Sequence, residues 1–425
     1  MRKQKYTILF TAAFLLIASN ALFAESPSEL AELFEKRRYF ELREALAHVR
    51  SRGERSLLFY RAVVENKFNR PDRSIQLVER FLESPGKGAK RRMLVEAHTL
   101  LADNYVKIYS YSKAAGVYDL ILTKFAADLS AQEKAGYENV GGLWKALASV
   151  PPQTTEFRGD SLIQAKQERV GLYVPLEING QSESFIFDTG ANVSTIIESH
   201  AKKLGLEIYE SDVEVGSISG NKVRSRLGVA KQLKFGNITL RNVVFLVFPD
   251  ESLYIKPLNF QIHGILGFPA IEALGQVTWT RDKRIIIPSA SGRSNLNNLA
   301  FDGLTPLIRG SYGGRSMTFA FDTGANTSTL YPVFFKTFEK EIIAAGGPVM
   351  EKVTGAGGSR EIKAYRLPDS QFEFAGRKAA FKRLQVLTEE TSGASRYFYG
   401  NIGRDLIGQF NRMTINFDKM SIAFE

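Results

Sequence analysis

Cysteine is missing from all 425 positions. This excludes disulfide staples, thiolate catalysis and cysteine metal sites. It also excludes a lipid anchor attached through cysteine. Histidine is scarce, with four in the chain, and none stands in a His-Glu metal motif. Neither a metal nor a cofactor is expected. The charge has no concentrated patch either. Lys and Arg number 56 against 45 Asp and Glu, a net +11, but the excess is spread along the chain. A nucleic-acid partner is therefore not expected. The densest basic run, Lys87 to Arg92, reads as a solvated loop or helix end.

Uncharged apolar runs of membrane-spanning length are also missing after the first residues. The N-terminus has a basic start, Arg2, Lys3 and Lys5. An apolar run follows from Ile8 to Ala18, broken only by Thr11, and then Leu22-Phe23-Ala24. This is the layout of a signal peptide over residues 1–24, cleaved after Ala24. The run is short for a span of about 20 residues, which favours a removed signal over a retained anchor. The expected mature chain is exported, periplasmic or extracellular, and has no stable membrane span.

Proline and glycine are sparse from residue 25 to 150, and apolar residues recur at three and four. Both features predict helices. Over Leu94 to Lys124, Leu101, Ala102 and Tyr105 fall on one helix and Ala114 and Tyr118 on the next. The turn falls near Tyr109 to Ser112. Ala62 and Ser74 repeat the twelve-residue separation of Ala102 and Ala114. The spacing resembles a tetratricopeptide hairpin, and a generic helical bundle fits it equally. Either one points to scaffolding or to a protein partner rather than to chemistry.

Pro151-Pro152 ends this pattern, and residues 151–164 read as a linker. Short β-type runs with Gly and Asn turns follow in two regions, 165–288 and 300–425, separated by the polar stretch 289–299. The two regions are copies. Phe187-Asp188-Thr189-Gly190-Ala191-Asn192-Val193-Ser194-Thr195 recurs as Phe321-Asp322-Thr323-Gly324-Ala325-Asn326-Thr327-Ser328-Thr329, with eight of nine positions identical. Gly264-Ile265-Leu266-Gly267 recurs as Gly400-Asn401-Ile402-Gly403, and Asp282-Lys283 recurs as Asp418-Lys419. A period this long is not a solenoid unit. It is a duplicated domain.

Each copy presents an Asp at the end of an apolar strand, with a Gly expected to permit a tight turn. An approximate two-fold axis would bring Asp188 and Asp322 together. Two carboxyl groups in contact share one proton. One then serves as a general base towards water and the other as a general acid towards a carbonyl oxygen.

These paired motifs resemble the aspartic peptidase superfamily that includes pepsins and retropepsins. The resemblance spans residues 165–425. It implies an all-β, double-lobed acid-protease fold after a helical N-terminal domain. It also implies a single-chain, catalytically monomeric hydrolase that binds a peptide or protein substrate extended between the lobes. The alternative is a silent peptide-binding or assembly module with the helical domain as adaptor. By the same resemblance, Asp188 and Asp322 are catalytic, with Thr189, Gly190, Thr323 and Gly324 in support. The two threonines would bond across the interface, and the later glycine elements would pass beneath the catalytic loops. Ala after each motif Gly is similar to retropepsins. Gly403-Arg404-Asp405-Leu406 resembles the retropepsin glycine-arginine element, which the first copy replaces with Gly267-Phe268-Pro269. Asp405 is expected to support the fold through a hydrogen bond or an arginine ion pair. Gly-rich stretches holding Gly216, Ser217 and Ile218, and Gly355, Ala356 and Gly357, resemble flaps over a substrate. Ala191 and Ala325 offer no hydroxyl to the aspartates. This predicts an activity optimum of about pH 5–7 rather than a strongly acidic one, unless Ser194 or Ser328 reaches the same oxygens.

Overall fold

A computed structural model of the protein describes residues 27–49, 56–84, 90–216, 222–355 and 358–425. The expected signal segment and residues 87–89 of the basic run Lys87 to Arg92 lie outside the described residues, while Lys90 caps and Arg91 and Arg92 begin a helix. Seven helices come first among the described residues: α1 (Pro27–Glu35), α2 (Tyr39–His48), α3 (Ser56–Lys67), α4 (Pro71–Glu83), α5 (Arg91–Lys107), α6 (Tyr111–Lys124) and α7 (Ala131–Ala146). No described helix is long and apolar enough to cross a membrane.

The helices pair as hairpins through short turns. Small side chains set the contacts, since Ala62, Ala102 and Ala114 are fully buried. The Ala62–Ser74 spacing has a direct cause. Ser74 Oγ donates to the Ala62 carbonyl at 2.7 Å and accepts from Asn104 Nδ2 at 2.8 Å. Asn66 Nδ2 in turn donates to Asn104 Oδ1 at 2.8 Å. This buried polar chain is satisfied link by link, so it carries no desolvation penalty for an unpaired group. α7 starts at a capping box in which Ser130 and Glu133 each satisfy the other's backbone N–H.

The segment expected as a linker, 151–164, is not one. Thr154–Phe157 pairs with Ile238–Phe248, and Ser161–Gln164 pairs with Arg284–Ile287. The Pro-Pro pair ends the helical region, but the alternation in Ser161-Leu162-Ile163-Gln164 is already that of a strand with one face buried.

The first β region closes on itself. Leu172–Ile178, Gln181–Phe187, Gly264–Leu266, Ser194–Ile197, Ile238–Phe248 and Lys222–Phe235 pair in that order, and the last pairs back to the first. The second region follows the same pairing order with Thr305–Tyr312, Arg315–Phe321, Gly400–Ile402, Thr329–Leu330 and Leu384–Leu387, which leads to Gly358–Leu367. There the two long strands are each broken. One stops before Pro368, which has no N–H for a ladder, and resumes as Ser370–Phe374. The other runs as Arg377–Phe381, bends at Arg383 (φ 65°), and continues as Leu384–Leu387. A five-stranded sheet joins the two regions. Its centre is the antiparallel pair Gln276–Thr280 and Arg412–Asn416, where Thr278 faces Thr414 and their hydroxyls lie 2.9 Å apart. Asp282-Lys283 and Asp418-Lys419 sit in the equivalent hairpin turns of this sheet.

The helices pack against both β regions. Asp302 at the start of the second region is half-buried. It accepts from Tyr39 at 2.8 Å and from Lys67 at 3.4 Å, and pairs with Arg37. Burial pushes its carboxyl up, but the Lys67 and Arg37 cations outweigh this and hold it below its ordinary value.

Candidate active site

Asp188 follows the strand Gln181–Phe187, and Asp322 follows Arg315–Phe321. Each of these strands is extended by a short parallel neighbour from the glycine element. Leu266 pairs with Phe187 and Ile402 with Phe321. The ladder continues one step further, as Asp188 N donates to Leu266 O and Asp322 N to Ile402 O, both at 3.0 Å. Gly267 and Gly403 then press against the backbones of the Asp loops, so closely that neither site has room for a side chain.

The two loops meet through their threonines. Thr189 N donates to Thr323 Oγ1 and Thr323 N to Thr189 Oγ1, each at 3.0 Å. Each hydroxyl donates onward across the interface, Thr189 to Phe321 O at 3.3 Å and Thr323 to Phe187 O at 3.1 Å. Both threonines are buried. The four bonds leave no hydroxyl or amide of this pair unmatched.

This lock brings the two aspartates together, each carboxyl lying against the glycine of the other loop. Burial, then the neighbouring Asp322, holds the Asp188 carboxyl well above its ordinary value. The chain turns or bends at both glycines as expected, but neither has positive φ, so the turn alone does not require glycine there. A methyl at Gly190 would collide with the Asp322 carboxyl, and one at Gly324 with the Asp188 carboxyl. Their role is to let the opposite carboxyl approach. Their amides also donate to their own aspartates, Gly190 N to Asp188 Oδ1 at 2.7 Å and Gly324 N to Asp322 Oδ1 at 2.8 Å.

The serines do not reach the pair. Ser194 Oγ accepts from Gly267 N at 3.0 Å. Ser328 Oγ accepts from Gly403 N at 3.0 Å and donates to Asp405 Oδ1 at 2.6 Å. Asp405 also accepts from Ser328 N at 2.8 Å, so its support comes through hydrogen bonds. Arg404 donates to the carbonyls of Thr323 at 2.9 Å and Gly324 at 3.4 Å, and to Asn326. One polar contact to the pair comes from a residue the sequence reading did not single out: Asn401 Nδ2 donates to Asp322 Oδ2 at 3.1 Å. The available signal was Asn in a Gly-x-x-Gly element whose first copy has Ile265.

The stretches expected as flaps are hairpins. Glu207–Gly216 pairs with Lys222–Phe235, and Val349–Gly355 with Gly358–Leu367. Gly216 and Gly355 end their first strands, while Ser217, Ile218, Ala356 and Gly357 lie outside the described residues. The helical region grips the first hairpin, with Asn139 of α7 accepting from Glu214 N at 2.9 Å and donating to Glu214 O at 3.0 Å. Among the described residues, Glu183, His200 and His263 could together approach a metal ion. Lys203 Nζ lies 2.5 Å from Glu183 Oε1 and already neutralises that carboxylate.

Residues 174–270 match the family described as Aspartyl protease. The match begins in the strand Leu172–Ile178 and runs just past Gly267, so it falls within the first copy and does not reach the second. No curated protein matches the chain. A solved retropepsin-like aspartic protease from Rickettsia conorii is 19% identical to it. That alignment covers 32% of this chain and 93% of that one, with a TM-score of 0.22.

Proposed function

We propose that the chain is an aspartic endopeptidase whose two β regions are the lobes of one active site. The observation that supports this reading is the reciprocal Thr189–Thr323 lock, beside which each Asp carboxyl lies against the other loop's glycine. In this reading the pair holds one proton. The ionised carboxylate takes a proton from water as the water oxygen bonds to the peptide carbon. The other carboxyl gives its proton to the carbonyl oxygen, forming a gem-diol. The first then protonates the amide nitrogen while the second takes a proton back from a diol hydroxyl. The C–N bond breaks, leaving acid and amine, and the pair returns to its starting state.

An extended substrate lies between the lobes, hydrogen-bonded in β fashion to the two Gly-rich hairpins. The enzyme acts on exported proteins or peptides, and one chain suffices, so activity per mole is constant on dilution. The test is cleavage of an unfolded protein between about pH 3 and 8, with and without a statine-type transition-state mimic. Cleavage blocked by the mimic supports the reading. Tight binding of peptides without cleavage, in protein confirmed as folded, replaces it with a silent binding module.

A further inference from the structure

The two aspartates are equivalent in sequence but not in surroundings. Asp322 accepts three donors spread over both oxygens: Gly324 N at 2.8 Å and Ala325 N at 3.0 Å on Oδ1, and Asn401 Nδ2 at 3.1 Å on Oδ2. The Asp188 carboxyl likewise faces two backbone amides, Gly190 N at 2.7 Å and Ala191 N, but among the described residues no side-chain amide or hydroxyl donates to it. The difference on the second oxygen traces to one position. Asn401 pairs with Ala320 and Thr329, and Ile265 pairs with Ile186 and Thr195. The two residues therefore occupy the same place in the two copies, each half-buried. Where the second copy offers an amide N–H, the first offers only methyl and methylene groups.

We propose that Asn401 is a positioning residue that fixes the charge of the resting pair on Asp322, making Asp322 the base towards water and Asp188 the bearer of the shared proton. This rests on the peptidase reading for its catalytic consequence. A carboxylate gains from every donor aimed at it, while a protonated carboxyl cannot use donors on both oxygens equally. The remaining charged and titratable groups do not reverse the bias. Arg404 acts on both aspartates. Tyr331, which feels Asp322, is pushed up by burial and stays neutral. Burial and Asp322 raise Asp188 in the direction the assignment needs. The bond also closes the catalytic cycle. Asp322 returns to the ionised state on protonating the leaving nitrogen, and Asn401 is already in place to receive that charge.

The test uses Asn401→Leu, which keeps the size and removes the donor, together with the exchange variant Asn401→Ile/Ile265→Asn. Two readouts are followed in the full chain. One is the pH profile of kcat/KM, and the other is the pH titration of the pair by 13C signals from labelled Asp carboxyls, assigned with Asp188→Asn and Asp322→Asn. In the wild type, Asp322 is expected to be the carboxylate that ionises first. In Asn401→Leu the acid limb is expected to move up by about one pH unit, since a hydrogen bond to a charged group is worth about that much. In the exchange variant the early ionisation is expected to pass to Asp188. A uniform fall in rate with unmoved carboxyl titrations would mean that Asn401 only fills space, and would overturn the proposal. The carboxyl titrations need no turnover, so they decide the charge assignment even if the chain proves to cleave nothing.

Discussion

The two Asp loops share a backbone but are held by different parts of the molecule. The second loop is secured by its own copy. Arg404 ties down the carbonyls of Thr323 and Gly324, and Asp405 takes both the amide and the hydroxyl of Ser328. The first loop has Phe268 and Pro269 at those positions. Phe268 is buried against Phe301 and Phe417 of the other copy, edge to face at 5.0 and 5.8 Å. The Pro269 carbonyl accepts from Tyr109 at 3.3 Å, at the turn between α5 and α6. Gln153 Nε2 donates to that tyrosine's hydroxyl at 3.0 Å. Val193 of the loop shares a cavity with Tyr111 and Trp144, whose rings stack at 5.5 Å. A duplicated fold can thus keep one geometry while one copy draws its support from a neighbouring domain. The helical region is then part of the scaffold of the site, which its length and composition alone did not show.

The largest effect should come where the copies are alike. Asp188→Asn and Asp322→Asn remove the shared proton from either side, and each is expected to lower turnover by at least about 10³-fold with the fold intact. Near-wild-type cleavage by either folded variant would rule out the paired mechanism. The next effect separates the copies. Asp405→Ala strips the buried Ser328 of two partners and is expected to cost about 1–3 kcal/mol by chemical denaturation. The first loop offers no counterpart to this variant, because Pro269 supplies no side-chain acceptor. A smaller loss, about 0.5–1.5 kcal/mol, is expected for Tyr109→Phe. Its informative readout is local. Amide exchange should quicken around residues 189–194 and 267–270 and stay unchanged around 323–328. Equal quickening in both loops would show that the helical contact supports the molecule generally and not the first loop.

Much of the β architecture was legible because strand pattern and motif coincide. The β-type runs Val170 to Ile178, Ser184 to Phe187 and Val243 to Val247 fall on strands, the first of which begins at Leu172, and the repeat reports which elements pair alike. The helical hairpin at 91–124 was legible because Ala102 and Ala114 leave the close approach visible in their small size. The two strands in 154–164 were missed because the Pro-Pro signal ended one pattern just before a short one with little periodicity began. Tyr109 and Asn139 could not be read as contacts to the site. Their partners are backbone atoms of Pro269 and Glu214, which leave no mark on sequence. The glycine of each motif was legible, but its reason was not, since close approach across an interface depends on a second strand end 134 residues away.

The smallest predicted effect concerns Ala191 and Ala325, and it should differ between the copies. A serine at either place can offer a hydroxyl to the adjacent aspartate. Ser194 and Ser328 are already committed to Gly267, Gly403 and Asp405, so they do not supply that bond. A new donor favours the ionised carboxyl and lowers the pair's apparent pKa values. At Asp322 the second oxygen already accepts from Asn401, so Ala325→Ser has little left to add. At Asp188 the hydroxyl meets a carboxyl that no side-chain amide or hydroxyl among the described residues donates to, raised by burial and by Asp322. Ala191→Ser should therefore draw the alkaline limb of kcat/KM towards acid by about half to one pH unit, and Ala325→Ser by clearly less. Stability should follow the same sign. A carboxyl with a raised folded pKa favours the fold below its unfolded pKa and loses that contribution as pH rises through the folded value. Ala191→Ser brings the two values closer, so its stability should depend less on pH from weak acid to neutral than that of the wild type. Equal shifts in the two serine variants would mean that the copies present the same environment to their aspartates, and the asymmetry assigned to Asn401 would have no catalytic weight.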